Sequence, residues 1–366
     1  MNKNNISHIN LISILPEKSR SGFTLNKEML DNILKVSYQT QGRKVTHIFP
    51  RQLILDTGFF VGYGLSVGDG LNNPSIRNTH YNFSNSNLEL VHIVHNWLKR
   101  YFNIEDGSFQ FILFQKSSNY KSIDTIKKLF HVEESKIKIY QSNRHRKDVL
   151  TIQISNPLFQ LIYLKLFDIL QHKMILNNNY RRLFLKGLFA AEGHIKHSIY
   201  KTIESIAFSF NPKTEIKLAR FIQICLKKEG IETKIRNDAV YFCGYENMLK
   251  FYLLGIMDLH KDKKEKFVRL SKNANVVVHF NNNLLDRLRN KISQRKLAKY
   301  LGCSQSTLSK AYKNRYLSLK GLSKLFSYLE IRKEDLINHV DYATVRTSFI
   351  KDREAAKFLV RNIVNQ

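Results

Sequence analysis

Two short segments of the chain combine glycines and a single acid in the same order. GYGLSVGDG (residues 62–70) and LKGLFAAEG (residues 185–193) each place a glycine five residues before an acid and a second glycine directly after that acid. On a helix, the positions three and four residues after Gly64 or Gly187 share a face with that glycine, and here none is larger than valine. Small side chains let two helix backbones approach closely. The pattern therefore predicts two helices that pack on each other through Gly64 and Gly187.

Asp69 and Glu192 then lie at the ends of these helices. The glycine after each acid is expected to adopt the left-handed conformation that stops a helix. Adjacent carboxylates repel each other, and the negative end of a helix dipole disfavours both. A divalent cation relieves both penalties, and oxygen ligands without His or Cys suit Mg²⁺, which can stabilise the attacking and leaving oxygens of phosphodiester hydrolysis. One such segment alone is more typical of a glycine-capped helix end, but two copies favour a shared metal site.

The composition indicates a polyanionic partner. The 366 residues include 59 Lys+Arg and 30 Asp+Glu, a formal net charge of +29 that is spread along the whole chain. This imbalance favours nucleic acid as the partner. The three cysteines lack the spacing of a disulfide framework or a zinc site.

The chain carries no sequence signal for secretion or membrane insertion. Its N-terminus has only a short apolar run and no small-residue cleavage site. The most apolar stretch, residues 158–170, contains Lys165 and Asp168 and is too short to span a bilayer. We therefore expect an intracellular protein, in the cytoplasm with the nucleoid or in an organelle, that is not secreted.

The periodicity of apolar residues predicts a duplication. The order helix-strand-strand-helix-strand-strand-helix occurs over residues 56–176 and again over residues 177–275, with an insertion near residues 121–135 in the first copy. Residues 1–55 form an N-terminal extension, in which residues 25–39 (LNKEMLDNILKVSYQ) have the pattern of a helix. No chemistry can be assigned to this extension.

The paired segments resemble a known signature. LKGLFAAEG is close to the LAGLIDADG motif, and GYGLSVGDG matches it more loosely, with Gly64, Asp69 and Gly70 at the key positions. The chain thus resembles the double-motif LAGLIDADG homing endonucleases over residues 57–270. The resemblance implies an α+β fold of two pseudo-twofold αββαββα repeats, whose antiparallel sheets form a saddle on DNA. It also implies a monomer that cuts both strands of a long double-stranded DNA site with Mg²⁺, for which Mn²⁺ can substitute.

The resemblance also implies roles for individual residues. Asp69 and Glu192 would be catalytic and would bind the metal together with the neighbouring Gly68 and Ala191. The family uses a basic residue near the end of each half, although lysines in such positions often belong to a solvated face. The candidates here are Lys173 in the first half and Lys261, Lys263 or Lys264 in the second.

Two asparagines stand at corresponding strand ends, and each has two interpretations. Asn85 and Asn211 either orient water at the metal site or cap the helices that follow them.

Polar residues on the strands after each motif are candidates for reading DNA, because a two-stranded ribbon fits the major groove. A shift of one residue in register would turn them to the other face. These candidates are Asn73, Ser75, Arg77, His80, Lys196, His197, Tyr200 and Lys201.

Residues 280–341 predict a small all-α module, followed by a tail at residues 342–366 with a strand and a closing helix. The helix QRKLAKYL, the turn at Gly302 and the polar helix start after it resemble the helix-turn-helix of phage-repressor-like proteins. A generic helical hairpin is the alternative. The resemblance implies contacts to base edges by Gln305, Ser306, Thr307 and Lys310.

Two other functions fit the same features. A transcription regulator would keep the scaffold and the helix-turn-helix for DNA recognition, and typically loses the motif acids. An RNA maturase would use the basic surface to assist the splicing of an intron RNA. The presence of both acids favours the endonuclease over the regulator.

Overall fold

The structure, a computed structural model, describes most of the chain. The described residues are 7–19, 22–40, 42–70, 80–116, 121–142, 147–200, 202–271, 276–281, 292–318, 337–345 and 348–364. Two compact units are present. The first comprises Met1–Gly193, Phe208–Glu229 and Asn237–Ala239, and the second comprises His194–Ala207, Gly230–Arg236 and Val240–Gln366. Within the described residues, the helices are too short or too polar to cross a membrane.

The N-terminal extension is built from strands. These are β1 (Ser7–Asn10), β2 (Asn26–Leu30), β3 (Ile33–Thr40), β4 (Arg43–Pro50) and β5 (Gln52–Leu55). β1 pairs with β5, and β2, β3 and β4 form an antiparallel sheet. The helix predicted over residues 25–39 is therefore wrong. Asp31 adopts a left-handed conformation (φ 46°) that reverses the chain, and β4 supplies a partner that buries Leu34 against Phe49. Alternate residues of β3, Leu34 and Val36, are fully buried, which is the period of a strand.

The first repeat contains four helices and four strands among the described residues. They are α1 (Thr57–Asp69), β6 (Tyr81–Asn85), α2 (Leu88–Phe102), β7 (Phe109–Gln115), α3 (Lys121–Phe130), β8 (Ile137–Gln141), β9 (Val149–Ile154) and α4 (Pro157–Leu176). The sheet order is β6-β9-β7-β8. β7 and β8 are parallel, unlike the antiparallel sheet that was expected. The reason is the inserted helix α3, which carries the chain back to the same end of the sheet before β8 begins.

The second repeat follows the same order without the insertion. Its elements are α5 (Asn178–Glu192), β10 (Gly193–His197), β11 (Ile203–Ser209), α6 (Ile216–Lys228), β12 (Lys234–Arg236), β13 (Ala239–Phe242), α7 (Tyr245–Leu253) and α8 (Lys261–Ser271). Its sheet order is β10-β11-β13-β12. The succession β11-β13-β12 corresponds to β6-β9-β7 in the first repeat, so the duplication predicted from the sequence extends to strand order. Of the polar strand-like segment expected between α1 and Ser84, residues 71–79 lie outside the described residues and the last part belongs to β6.

The C-terminal region combines helices with a sheet. Its elements are β14 (Val276–Phe280), α9 (Gln294–Leu301), α10 (Gln305–Asn314), β15 (Tyr316–Ser318), β16 (Val340–Val345), β17 (Ser348–Ile350) and α11 (Arg353–Val364). The strands form the antiparallel sheet β15-β14-β16-β17. The module predicted to be all-α therefore includes strands. Alternating apolar residues such as Val276, Val278 and Phe280 bury one face of β14 and explain why it joins a sheet.

Candidate functional site

The two motif helices cross where their first glycines lie. A Cβ atom on Gly64 would be 2.1 Å from the carbonyl oxygen of Phe184, and one on Gly187 would be 2.1 Å from that of Val61. Backbone therefore packs directly on backbone, with no room for a side chain at either position. Near the start of the helices the rings of Phe60 and Tyr180 stack at 4.2 Å. α1 and α5 consequently run in the same direction.

This parallel packing brings the ends of the two helices together. A Cβ atom on Gly68 would be 2.5 Å from Ala191 Cβ and 3.3 Å from Glu192 Cγ. Asp69 is the last residue of α1 and Glu192 is the last residue of α5. Both acids are partly exposed. Two carboxylates thus stand at adjoining helix ends within reach of solvent.

The helices do not end as the sequence predicted. Gly70 and Gly193 have φ values of −81° and −71°, so neither adopts the left-handed conformation. Glycine is required at both positions because a side chain would have no space. A Cβ atom would lie 2.0 Å from the Ser66 carbonyl oxygen at Gly70 and 2.1 Å from the Phe189 ring at Gly193.

Asn85 holds the carboxylate of Asp69. Its side-chain amide Nδ2 donates a hydrogen bond to Asp69 Oδ2. Its Oδ1 accepts a hydrogen bond of 2.7 Å from the backbone amide of Asn87, which fixes the orientation of the amide group. The helix cap itself is Asn87, whose Oδ1 accepts from the backbone amide of Glu89 at 3.0 Å. Asn85 is therefore a positioning residue for Asp69 rather than a cap.

Asn211, the predicted counterpart, is used within its own turn. Its Oδ1 accepts a hydrogen bond of 3.0 Å from the backbone amide of Lys213, and its own backbone amide donates to Glu215 Oε2 at 2.7 Å. These bonds stabilise the turn that leads into α6. The capping interpretation is wrong for both asparagines, because the N-caps are Asn87 for α2 and Glu215 for α6. The water-orienting role stays a prediction.

A buried group of hydroxyls lies behind Asp69. Ser66 Oγ and the Tyr81 hydroxyl share a hydrogen bond, and both residues are buried. Burial raises the pKa of Tyr81 well above its usual value, and the nearby Tyr163 and Asp69 raise it further. Burial also raises the pKa of Tyr163. The hydroxyls therefore stay neutral and contribute polarity without charge. No sequence motif pointed to Tyr81 or Tyr163.

The turn before Glu192 carries an aromatic side chain where the corresponding turn of α1 carries Ser66. Phe189, one turn before it, is fully buried and packs edge-on against Phe208 with ring centroids 5.5 Å apart. Phe189 occupies the position in α5 that Ser66 occupies in α1, two residues after the crossing glycine. The last turn of α5 thus packs through an aromatic pair, whereas the last turn of α1 packs through hydroxyls.

Lys173 lies away from the acids. Its ammonium group donates to Ser7 Oγ at 2.9 Å, and α4 ends beside the start of α5, where Arg181 donates to the carbonyl of Met174 at 3.2 Å. Glu192 is about 16 Å further along α5 at 1.5 Å per residue. The expectation that Lys173 acts beside the acids is corrected accordingly. The reason is that the short link at Asn177 reverses the chain, so the end of α4 meets the wrong end of α5.

The candidate lysines of the second half are in the second unit. Lys261 and Lys263 lie in the first turn of α8, and their roles stay predictions. Within the same helix, Lys264 pairs with Asp258 at 2.8 Å, and Lys266 donates to the carbonyl of Ile195 in β10 at 2.9 Å. The contact of Lys266, which sequence reasoning missed, anchors β10.

The predicted DNA-reading residues divide into two groups. His80 is exposed, and its Nδ1 lies 2.6 Å from Ser155 Oγ. Three residues of the second repeat are exposed at the end of the hairpin formed by β10 and β11: Lys196, His197 and Tyr200. Four others lie outside the described residues: Asn73, Ser75, Arg77 and Lys201.

α9 and α10 form the predicted helical pair. Gly302 has φ 69° and ends α9 in the left-handed conformation, which favours glycine. Ser304 caps α10 by accepting from the backbone amide of Thr307 at 3.1 Å. Apolar residues close the inner side of the pair, namely Leu297, Ala298, Leu308 and Ala311. The outer face carries the predicted base-reading residues, all exposed: Gln305, Ser306, Thr307 and Lys310.

The donors at the helix ends fit a hard cation. In the described part of the chain, no three or more His, Cys, Asp or Glu side chains form a cluster that could hold a metal ion. A metal between Asp69 and Glu192 would thus have two carboxylates as its side-chain ligands. Mg²⁺ commonly binds through one or two carboxylates and completes its shell with water and substrate phosphate. The donor set therefore suits Mg²⁺ and argues against zinc.

Comparison with family models identifies two domains. Residues 179–254 match the LAGLIDADG-like domain, and residues 287–341 match the Cro/C1-type helix-turn-helix DNA-binding domain. These matches, together with the observed elements, confirm the predicted α+β fold class with a LAGLIDADG-like fold and a C-terminal helix-turn-helix region. The second match indicates DNA as the partner.

Solved structures with a similar fold are distant. Full-length DUF199/WhiA from Thermatoga maritima is 13% identical, with 85% of this chain and 93% of that chain covered and a TM-score of 0.37. Mesophilic variants of the homing endonuclease I-DmoI are 14% identical, with 53% and 87% covered and a TM-score of 0.31. I-DmoI in complex with DNA and Ca is 18% identical, with 53% and 87% covered and a TM-score of 0.27. No curated protein sequence matches the chain significantly.

Proposed function

We propose that this protein is a metal-dependent endonuclease that cleaves double-stranded DNA at a long target site. The observation that carries the proposal is the pairing of Asp69 and Glu192 at the adjoining ends of α1 and α5. Mg²⁺, or Mn²⁺ in its place, would be held by these two acids with help from the backbone at Gly68 and Ala191. One chain supplies both acids, so a monomer suffices.

The residues around the acids have separate tasks in this scheme. Asp69 and Glu192 bind the cation, and Asn85 keeps the Asp69 carboxylate in one orientation. The negative ends of two helix dipoles meet at the acids, which favours a bound cation over an empty carboxylate pair. When bound, Mg²⁺ stabilises the charge that develops on the attacking and leaving oxygens of the phosphodiester.

Recognition of the target is assigned to surfaces outside the acid pair. The exposed polar face of α10 is suited to base edges, and Lys310 adds a positive charge there. The hairpin of β10 and β11 presents Lys196 and His197 to solvent, as a ribbon in the major groove would. A target contacted by both elements would be long.

The test compares cleavage with binding. A plasmid is prepared that carries the DNA on either side of the protein's own genetic element, joined as one sequence. We expect the protein to linearise it with Mg²⁺ or Mn²⁺. Asp69→Asn and Glu192→Gln should each lower the cleavage rate by about 100-fold or more, because metal binding is lost, while DNA affinity changes little.

Glu89→Gln is the matched control, because Glu89 is an exposed carboxylate in the first turn of α2. It should cleave like the unchanged protein. Equal cleavage by the Asp69 and Glu192 variants would reject the proposed site.

A transcription regulator is the second candidate. It is favoured by the match of residues 287–341 to a DNA-binding helix-turn-helix domain, whose outer face is exposed. A regulator would bind its site tightly and leave the DNA intact with either metal. The same plasmid assay, read for binding and for nicking, separates the two functions.

A further inference from the structure

The tip of the hairpin between β10 and β11 exposes two large apolar side chains side by side. Ile199 is 88% exposed and Tyr200 is 76% exposed. In the part of the chain that the structure describes, the next most exposed large hydrophobic side chain is Leu176 at 71%, and it stands alone at the end of α4. Single exposed apolar residues are ordinary, whereas an adjacent pair at a loop tip indicates a contact surface.

The residues on either side of the tip are hydrogen-bonded to each other. The backbone amide of Ser198 donates to the carbonyl of Thr202 at 2.9 Å. Their hydroxyls are also hydrogen-bonded, at 2.8 Å. These bonds join the two ends of the segment that carries Ile199 and Tyr200.

The charges around the tip favour a polyanionic partner. Lys196 is exposed on β10, and the sequence places Lys201 directly after Tyr200, against one acid, Glu204, on β11. Lys266 supports the ribbon from α8 through its bond to the carbonyl of Ile195. The chain as a whole carries a net charge of +29. The positive charge around Ile199 and Tyr200 attracts DNA, whereas a protein or lipid partner would need a surface that matches this charge.

DNA offers one apolar group that such a tip can read. A two-stranded ribbon fits the major groove, and the C5-methyl group of thymine is the apolar feature displayed there. Ile199 supplies a branched aliphatic surface, and Tyr200 supplies a ring with a hydroxyl that can reach a phosphate or a base edge.

We propose that Ile199 and Tyr200 form an apolar reader that packs on thymine methyl groups in the major groove and so selects thymine-containing steps of the target. The inference rests on the DNA-binding part of the proposed function and is independent of cleavage. It assigns sequence preference to a loop tip, where the sequence alone suggested only polar contacts along the strands.

The experiment removes the methyl group from DNA and the apolar tip from the protein. Duplexes that bind the full-length protein are selected from a random library. The duplex that binds most tightly is then made in two forms, one with thymidine and one with deoxyuridine at every thymidine position. Affinities are measured by fluorescence anisotropy in the absence of divalent metal. The unchanged protein should bind the deoxyuridine duplex about fourfold more weakly for each methyl group in contact.

The double variant Ile199→Ser, Tyr200→Ser should bind the thymine duplex more weakly and should no longer distinguish the two duplexes. Leu176→Ser is the matched control, because it also removes one highly exposed apolar side chain. It should discriminate like the unchanged protein, as should the conservative variant Ile199→Leu, Tyr200→Phe.

Three results would overturn the proposal. The unchanged protein could bind both duplexes equally, the double variant could lose as much affinity on deoxyuridine as the unchanged protein does, or no duplex could be selected at all. None of them depends on Asp69 and Glu192. Failure of cleavage with thymine discrimination intact would reject only the nuclease.

Discussion

α1 and α5 each end in an acid that is followed by a glycine, but the side chains that pack in their last turns differ. Behind Asp69, Ser66 bonds to the hydroxyl of the buried Tyr81. Behind Glu192, Phe189 packs on Phe208. The crossing glycines, by contrast, have matching contacts, each facing the backbone of the other helix. The duplication therefore preserves the close approach of the backbones and the position of the acids, while the packing that supports each acid has diverged.

The largest expected effect comes from removing the aromatic support. Phe189→Ala should lower the free energy of unfolding by about 3–5 kcal/mol, because it leaves a cavity in a fully buried site. Ser66→Ala should cost about 1–3 kcal/mol, because it leaves the Tyr81 hydroxyl without its partner. Urea denaturation measures both. The comparison fails if Ser66→Ala is as damaging as Phe189→Ala.

The double variant Ser66→Ala, Tyr81→Phe sharpens this result. It removes both hydroxyls at once, so part of the loss should be recovered relative to Ser66→Ala alone. A strictly additive loss would mean that the two hydroxyls do not depend on each other.

The crossing itself should respond equally from both sides. Gly64→Ala and Gly187→Ala each place a methyl group against a backbone carbonyl of the other helix, and each should lower stability by about 1–3 kcal/mol or more. Gly107→Ala is the control, because a Cβ atom there meets nothing within 4 Å. Unequal losses of stability for Gly64→Ala and Gly187→Ala would show that the two sides of the crossing are not equivalent.

The two asparagines should separate catalysis from stability. Asn85→Ala should lower the cleavage rate by about 10- to 100-fold, because Asn85 holds a metal-binding carboxylate. Asn211→Ala should leave cleavage unchanged and cost about 1 kcal/mol of stability, because it bonds only within its turn. Cleavage kinetics at saturating metal, with DNA binding measured separately, test the contrast. Equal loss of cleavage would make the two halves functionally symmetric.

The last expected effect is a difference in acid sensitivity between α2 and α6. Burial lowers the pKa of His95 in α2 to about 4, aided by Lys99 and opposed by Asp106. Since an unfolded histidine titrates near 6.5, stability is complete above that pH and falls as the pH drops from 6.5 towards 4. The slope should be on the order of 1 kcal/mol per pH unit.

His95→Gln should flatten this dependence, as measured by urea denaturation between pH 4 and pH 7. In the second repeat, α6 buries Cys225, whose pKa burial raises to about 12, so this thiol stays neutral over the same range. Cys225→Ala should therefore leave the acid dependence unchanged. An equally steep profile for His95→Gln would place the acid-sensitive group elsewhere.

The site was predictable where local pattern and duplication agree. Spacing alone placed the acids at helix ends and the glycines at a crossing, because helical geometry relates residues three and four apart without reference to the rest of the chain. Lys173 was misplaced because its position depends on how α4 turns into α5, which spacing does not report. The Ser66 and Tyr81 pair was missed because residues 66 and 81 meet only after β6 has packed on α1.

The sequence by itself determined the repeated order of helices and strands, the acid at each motif end and the basic character of the surface, since these follow from periodicity, residue type and charge. Tertiary structure alone decided that residues 25–39 form strands, because Phe49 on β4 offers Leu34 a better place for burial than a helix would. It also decided that Gly70 and Gly193 are required for space rather than for a left-handed turn. In each case the deciding contact joins residues that the pattern along the chain does not connect.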